Sequence, residues 1–303
     1  MTRALLSLPL LAFLAACAGS PLDPLPGGGG GGDDGFDEGA GEGGADGGAT
    51  DTCDGTNEIC SGELNLFVFD PDTNTIEINN LPFDFDNNFI ASAANSTGFT
   101  NTAGFTNEAG TETYIALYAE GDTTAAGVVG TDGFLNFGFG GTFISSDGAS
   151  FPSNGQATFA GEYAGIRISS GAGPVLARVI GDVDIRLDLE DFDVTGALDG
   201  TISGRTTIDA AGIPVDALPF VTISTTGFDG IQIETTQAQE VPANPDDDAA
   251  SGTFNGIFGG DIADGTAEIA GAIEITGTNI LAPDFDVLER GSFVIPQTSF
   301  DAP

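Results

Sequence analysis

Asp182-Val183-Asp184-Ile185-Arg186-Leu187-Asp188-Leu189-Glu190 decides the fold class of this chain. Every odd position is aliphatic and every even one charged, the period of a strand with one dry face and one wet face. At Asp191 the phase slips by one, since Phe192, Val194, Leu198 and Ile202 become the apolar set. A tight turn or bulge accounts for such a slip. Further out, Leu64-Asn65-Leu66-Phe67-Val68-Phe69, the turn Asp70 to Asn74, and Thr75-Ile76-Glu77-Ile78 read as a hairpin. Tyr114 to Tyr118 and Phe134 to Phe139 add β signals. The tandem copies Gly98 to Ala103 and Gly104 to Ala109, which precede Tyr114, read as a loop or duplicated turn. No stretch after the first 16 residues keeps a helical period, so the class is all-β.

Two distant segments share one pattern. Thr158-Phe159-Ala160-Gly161-Glu162-Tyr163-Ala164-Gly165 and Thr253-Phe254-Asn255-Gly256-Ile257-Phe258-Gly259-Gly260 both read T-F-x-G-x-aromatic-x-G. At a strand period of two, Phe159, Gly161, Tyr163 and Gly165 share a face, as do Phe254, Gly256, Phe258 and Gly260. Large side chains alternating with none suit a small barrel, where glycine permits bending and a neighbouring aromatic covers the gap. The motif therefore reads as structural rather than as an aromatic ligand platform.

With the order Gly165-Ile166-Arg167, Gly181 to Leu187, Ile202-Ser203-Gly204-Arg205, Phe254 to Gly259 and Ala267-Glu268-Ile269-Ala270-Gly271, the chain resembles the barrel domain of transferrin-binding protein B and its relatives. The resemblance covers about residues 151 to 300. It implies an eight-stranded antiparallel β-barrel, preceded by a smaller β-rich handle, on a lipid-anchored surface protein. Two departures stand out. Gly260 occupies the place where the family usually has proline, and Asp261 to Thr266 lengthens the turn before Ala267 and Glu268. The resemblance implies one handle-and-barrel unit and carries no ligand residues over.

The N-terminus explains where such a protein would work. Arg3, the apolar run Ala4 to Phe13, and Leu14-Ala15-Ala16 form an export signal over residues 1–16. The run is too short to span a bilayer. Leu-Ala-Ala-Cys resembles a bacterial lipobox, which makes Cys17 the expected lipid anchor to a membrane. Ala18, rather than Asp, follows it, which resembles sorting to an outer membrane. Residues 17–52 are Gly-rich and acidic, the composition of a disordered tether. As a coil it spans roughly 30–35 Å. Cys53 and Cys60 have six residues between them. In an exported chain they are expected to form a disulfide, because two ligands alone are too few for zinc. The expected order is signal 1–16, tether 17–52, β-rich handle 53–150 and barrel 151–303.

Charge narrows the function. The chain has 46 acids against 6 basic residues, no histidine, and a net charge of −40. All six basic residues are arginines, and five remain once Arg3 leaves with the signal. A field of that sign argues against nucleic acid and anionic surfaces and favours solubility in salt. The absence of histidine removes Ser-His catalysis and His-ligated zinc or haem, and the absence of lysine removes Schiff-base chemistry. No catalytic residue, cofactor or metal site is expected. Nor is a transmembrane barrel, since the chain has no Trp and only three Tyr for an aromatic girdle. The leading expectation is a monomeric, non-catalytic surface module that binds a protein or nutrient ligand through loops such as Pro82 to Asn88 and Pro242 to Asp248. The alternative is a structural or accessory envelope lipoprotein.

Overall fold

The computed structural model describes residues 53, 57–79, 81, 87–109, 112–131, 133, 139–170, 175–190, 197–244, 248–279 and 286–302. The expected signal, Cys17, the tether, the slip at Asp191 and most of the loop 82–88 lie outside the described residues. Residues 48–303 form one compact unit.

The first sheet contains β1 (Glu58–Cys60), β2 (Leu66–Asp70), β3 (Thr75–Asn79), β4 (Asn88–Ala91), β5 (Ala103–Ala109), β6 (Glu112–Glu120), β7 (Thr124–Gly130) and β8 (Gly140–Ser146). Strands β2 to β8 follow one another as an antiparallel meander, and β1 adds to the β8 edge. The expected hairpin is β2–β3, in register from Leu66 opposite Asn79 to Asp70 opposite Thr75. Asp70 shapes its turn by accepting from the Asp72 and Thr73 N–H groups at 2.9 and 3.3 Å. Cys53 and Cys60 are joined in a disulfide beside β1.

The tandem repeat is where the sequence reading fails. Its first copy turns, but Ala103 and the second copy form β5, paired along its length with β6. The one-turn helix α1 (Ala93–Ser96), capped by the Ser92 hydroxyl, lies against that strand. A Cβ on Gly104 would collide with the backbone of Asn95 and Ser96, so this glycine permits the close approach. Two copies that differ only at Thr102 and Glu108 take two conformations because only the second has a strand partner along its length.

The second sheet contains β9 (Ala149–Ser150), β10 (Gln156–Ser169), β11 (Val175–Asp188), β12 (Ala197–Ile208), β13 (Pro214–Ala217), β14 (Phe220–Thr226), β15 (Phe228–Asp229), β16 (Gln232–Val241), β17 (Ser251–Asp261), β18 (Glu268–Thr278) and β19 (Asp286–Asp301). Eight of them close a ring. The order is β10–β11–β12–β14–β16–β17–β18–β19, with β19 pairing back onto β10, and every pair is antiparallel. Asp182 to Asp188 lie in β11, where Val183, Ile185 and Leu187 are buried and Asp182, Asp184 and Arg186 exposed, while Leu189 and Glu190 enter the turn after it. Closure removes free sheet edges, and the interior of a barrel this small fills with side chains. Here they include Phe159, Val183, Ile185, Ile202, Phe254 and Phe258.

The two sheets share buried seams. Leu117 and Val128 of the first sheet pack on Ala164, Ile166 and Ile168, which project outward from β10. Ala126 and Ile144 pack on Ile257, Ala270 and Ala272 of β17 and β18. The first sheet's other face buries Phe67, Ile76, Phe89, Phe105, Tyr114 and Phe143. Strands β6 to β8 are thus dry on both faces.

Candidate functional site: the charged end of the barrel

Of the five arginines in the described residues, only Arg186 is exposed; Arg167, Arg178, Arg205 and Arg290 are all buried. A chain this poor in cations places most of them inside. Alternation along β10 turns Arg167 inward while Ile166 and Ile168 face the first sheet. At the same end, β12 supplies Arg205, β16 Glu240 and β19 Glu289.

These four side chains form a fully enclosed network. Arg167 Nη1 donates to Glu240 Oε1 at 3.0 Å and Glu289 Oε2 at 2.7 Å. Arg205 Nη1 donates to Glu240 Oε1 at 3.1 Å, and its Nη2 to Glu289 Oε2 at 2.6 Å. Tyr163 donates its hydroxyl to Glu289 Oε1 at 2.8 Å. Two guanidinium groups against two carboxylates balance the charge, which is the condition for burying ions. Burial alone would raise the Glu289 carboxyl, but Arg205 and Arg167 outweigh it and hold the group down at about 2. Burial, with the Glu289 charge beside it, pushes the Tyr163 phenol well above its ordinary value. The network is not saturated: Arg167 Nη2 and Arg205 Nε are buried without a hydrogen-bond partner.

Beside this network lies a cavity of about 520 Å³, lined in part by Arg167, Arg178, Leu176, Ile208, Val215 and Asn279. Arg178 Nη1 donates to the carbonyls of Asn95 and Thr97, each at 2.8 Å, and Nη2 to the carbonyl of Asp209. It therefore fixes α1 to the barrel end. Its guanidinium also sits over the Phe99 ring, 5.9 Å from the centroid. Val215, 61% exposed, stands at the lip on β13 beside Ile213, 59% exposed.

The residues of the repeated motif occupy structural positions. Phe159, Tyr163, Phe254 and Phe258 are buried in the barrel core. A Cβ on Gly165 would stand 2.7 Å from the Tyr163 hydroxyl, and one on Gly256 2.9 Å from Phe254 Cζ. Gly161 meets Ile295 in the same way, and Gly271 meets Phe293. Ala267 is buried beside the aromatic layer. Gly260 has φ +73°, a conformation closed to proline. The lengthened turn after it is organised by Asp261, which accepts from the Ala263 and Asp264 N–H groups at 2.8 and 3.0 Å.

Glu268 does something the sequence did not disclose. Its carboxylate leaves the barrel and accepts from Asp122 N–H, Thr123 N–H and the hydroxyls of Thr123 and Thr124 in the β6–β7 turn, at 2.8 to 3.0 Å. Burial pushes this carboxyl up, but these donors outweigh it and hold it below the ordinary carboxylate value. Glu162 works alike, accepting from Thr100 N–H, Asn101 N–H and the Thr102 hydroxyl at 2.8 to 3.1 Å. Among the described residues no group of three or more His, Cys, Asp or Glu side chains is placed to hold a metal ion. Of the two expected binding loops, residues 87, 88, 242–244 and 248 are described, and they lie apart from the cavity lining.

The architecture is thus a closed eight-stranded barrel joined to an eight-stranded open sheet. No family model matches the chain, and no curated protein does. Among solved structures, a double mutant of the vaccine antigen transferrin-binding protein B from Haemophilus parasuis Hp5 is similar at 13% identity and a TM-score of 0.42, over 80% of this chain and 45% of that one. A single mutant of the same antigen gives 16% identity and a TM-score of 0.40, over 82% and 45%. Intact Ap-TbpB, with N and C lobes, gives 13% and 0.39, over 80% and 46%. The chain spans less than half the length of these proteins, and the likeness is one of fold.

Proposed function

We propose that the chain is a non-catalytic envelope lipoprotein, anchored through lipid on Cys17, which displays residues 53–150 and the barrel 151–303 as one binding module at the cell surface. The observation that carries the binding reading is the cavity of about 520 Å³ at the charged end of the barrel, with Val215 exposed at its lip. Its size suits a small ligand, and its lining combines apolar walls with a few polar groups. Lipobox, acidic tether and histidine-free composition support export, anchoring and the lack of catalysis. The clamps at Glu268, Glu162 and Arg178 support presentation of both sheets as a unit.

Proteinase K shaving of intact cells, read with an antibody to the barrel, tests the placement. Loss of the epitope with periplasmic controls intact is the expected result. Protection until the cells are permeabilised would overturn surface display and make an accessory role inside the envelope the better reading.

A further inference from the structure

Resting on the reading of the chain as a binding module, we propose that the outer face of β13 and the start of β14 docks a basic protein, through an apolar contact ringed by that partner's lysine or arginine side chains. Four large hydrophobic side chains are well exposed among the described residues: Ile90, Ile213, Val215 and Phe220. The last three fall within residues 213–220 and make a patch, whereas Ile90 stands by itself on β4. Leu218, Val221 and Ile223 of the same stretch enter the barrel core. Ile213, Val215 and Phe220, at 59%, 61% and 42% exposure, are left outside it. Every position of β13 is exposed, and among the described residues this strand pairs with β12 alone. The patch borders the cavity at Val215, so the apolar wall of Ile115, Leu176 and Ile208 is within reach of an aliphatic side chain from the partner.

Charge decides which partner fits. Asp209 and Asp216 flank Ile213 and Val215 in the chain, and both are exposed. Among the described residues no accessible cation stands with them. Arg178 and Arg205 are buried and committed to carbonyl and carboxylate oxygens. The exposed Arg186 lies opposite Asp199, at the far end of the β11–β12 ladder from Arg178 and Ile208, roughly 25 Å away at the rise of a strand. An apolar patch in an acidic surround matches an apolar centre with a basic rim, and the net charge of −40 draws such a partner in. A second copy of the chain is the wrong occupant. It brings another acidic surround, and Pro214 and Asp216 oppose edge-to-edge pairing of β13 with itself.

The test is fluorescence anisotropy of labelled peptides titrated with the full, detergent-solubilised chain. The probes are a short peptide of leucines between paired lysines, the same peptide with glutamate for lysine, and polylysine of equal length. Saturable binding of the lysine–leucine peptide is expected, weakening as salt is raised, with no binding of its glutamate counterpart. The double variant Ile213→Ser, Val215→Ser should weaken that binding by roughly tenfold or more, because the apolar centre of the contact is lost. Phe220→Ser should weaken it likewise and serves as the independent variant should the double one misfold, while Ile90→Ser should change nothing. Polylysine should bind less tightly and ignore all of these variants. Equal affinity for polylysine and the lysine–leucine peptide, or indifference of the latter to the patch variants, means general charge attraction and overturns the proposal. Self-association in sedimentation that the double variant abolishes gives the face to a second copy and overturns it too. Silence of every probe overturns the docking surface, while the module reading stands or falls separately on protease shaving of whole cells.

Discussion

Glu268 on β18 accepts a 2.8 Å hydrogen bond from the backbone N–H of Asp122 in the β6–β7 turn of the other sheet. A turn offers several N–H donors in one direction, and a carboxylate accepts them all. A contact separated by 146 residues in sequence thereby becomes a clamp. Glu268→Ala leaves those donors unmatched at a nearly buried seam and should cost about 2–4 kcal/mol in urea unfolding. Its mark should be faster amide exchange in β6 and β7 than in the barrel strands. Uniform exchange across both sheets would show that Glu268 does not hold the seam.

The same group and Glu289 set the acid limit of stability. Both carboxyls are held below their ordinary value in the folded chain, Glu289 at about 2. A depressed carboxyl contributes stability that is complete above its unfolded value of about 4.5 and is lost as pH falls through the folded value. Denaturant midpoints should therefore drop between pH 4.5 and about 2, and Glu268→Gln should flatten the upper part of that drop.

The Arg167, Arg205, Glu240 and Glu289 network should respond asymmetrically. Arg205→Met strands buried carboxylates and should cost about 3–5 kcal/mol. Replacing all four charges together by apolar residues of similar volume should restore much of that loss, since the ions no longer need desolvation. Chemical denaturation of the single and quadruple variants measures both.

Gly291 lies where a Cβ would collide with the Tyr163 ring and hydroxyl. Gly291→Ala should destabilise by about 1–3 kcal/mol through overpacking. Tyr163→Leu should relieve that cost, so a double-mutant cycle should show coupling between the two positions.

Cys17→Ala should leave the barrel folded by circular dichroism yet release the protein from the membrane fraction. A variant that still sediments with membranes would remove the lipid anchor from the proposal.

The sequence by itself determined the β class, because a strand wet on one face records its environment every second residue, as Asp182 to Glu190 does. It also determined the hairpin around Asp70, whose turn chemistry is local, and the partnership of Cys53 with Cys60. Strands dry on both faces carry no such record: Ala125 to Gly130 in β7 reads as a run of small and aliphatic residues, and only the seam against β10 and β18 explains it. The tandem repeat was misread for the same reason, since β5 depends on β6 and not on its own six residues. Tertiary structure alone decided which of the acids matter. Glu240 and Glu289 look like any other of the 46 acids, and Glu268 like one more residue of a barrel motif, until ring closure places the first two beside buried arginines and the third in a distant turn. Charge pairing is a property of positions in space, and closing an eight-stranded ring sets those positions through registers that no local pattern records.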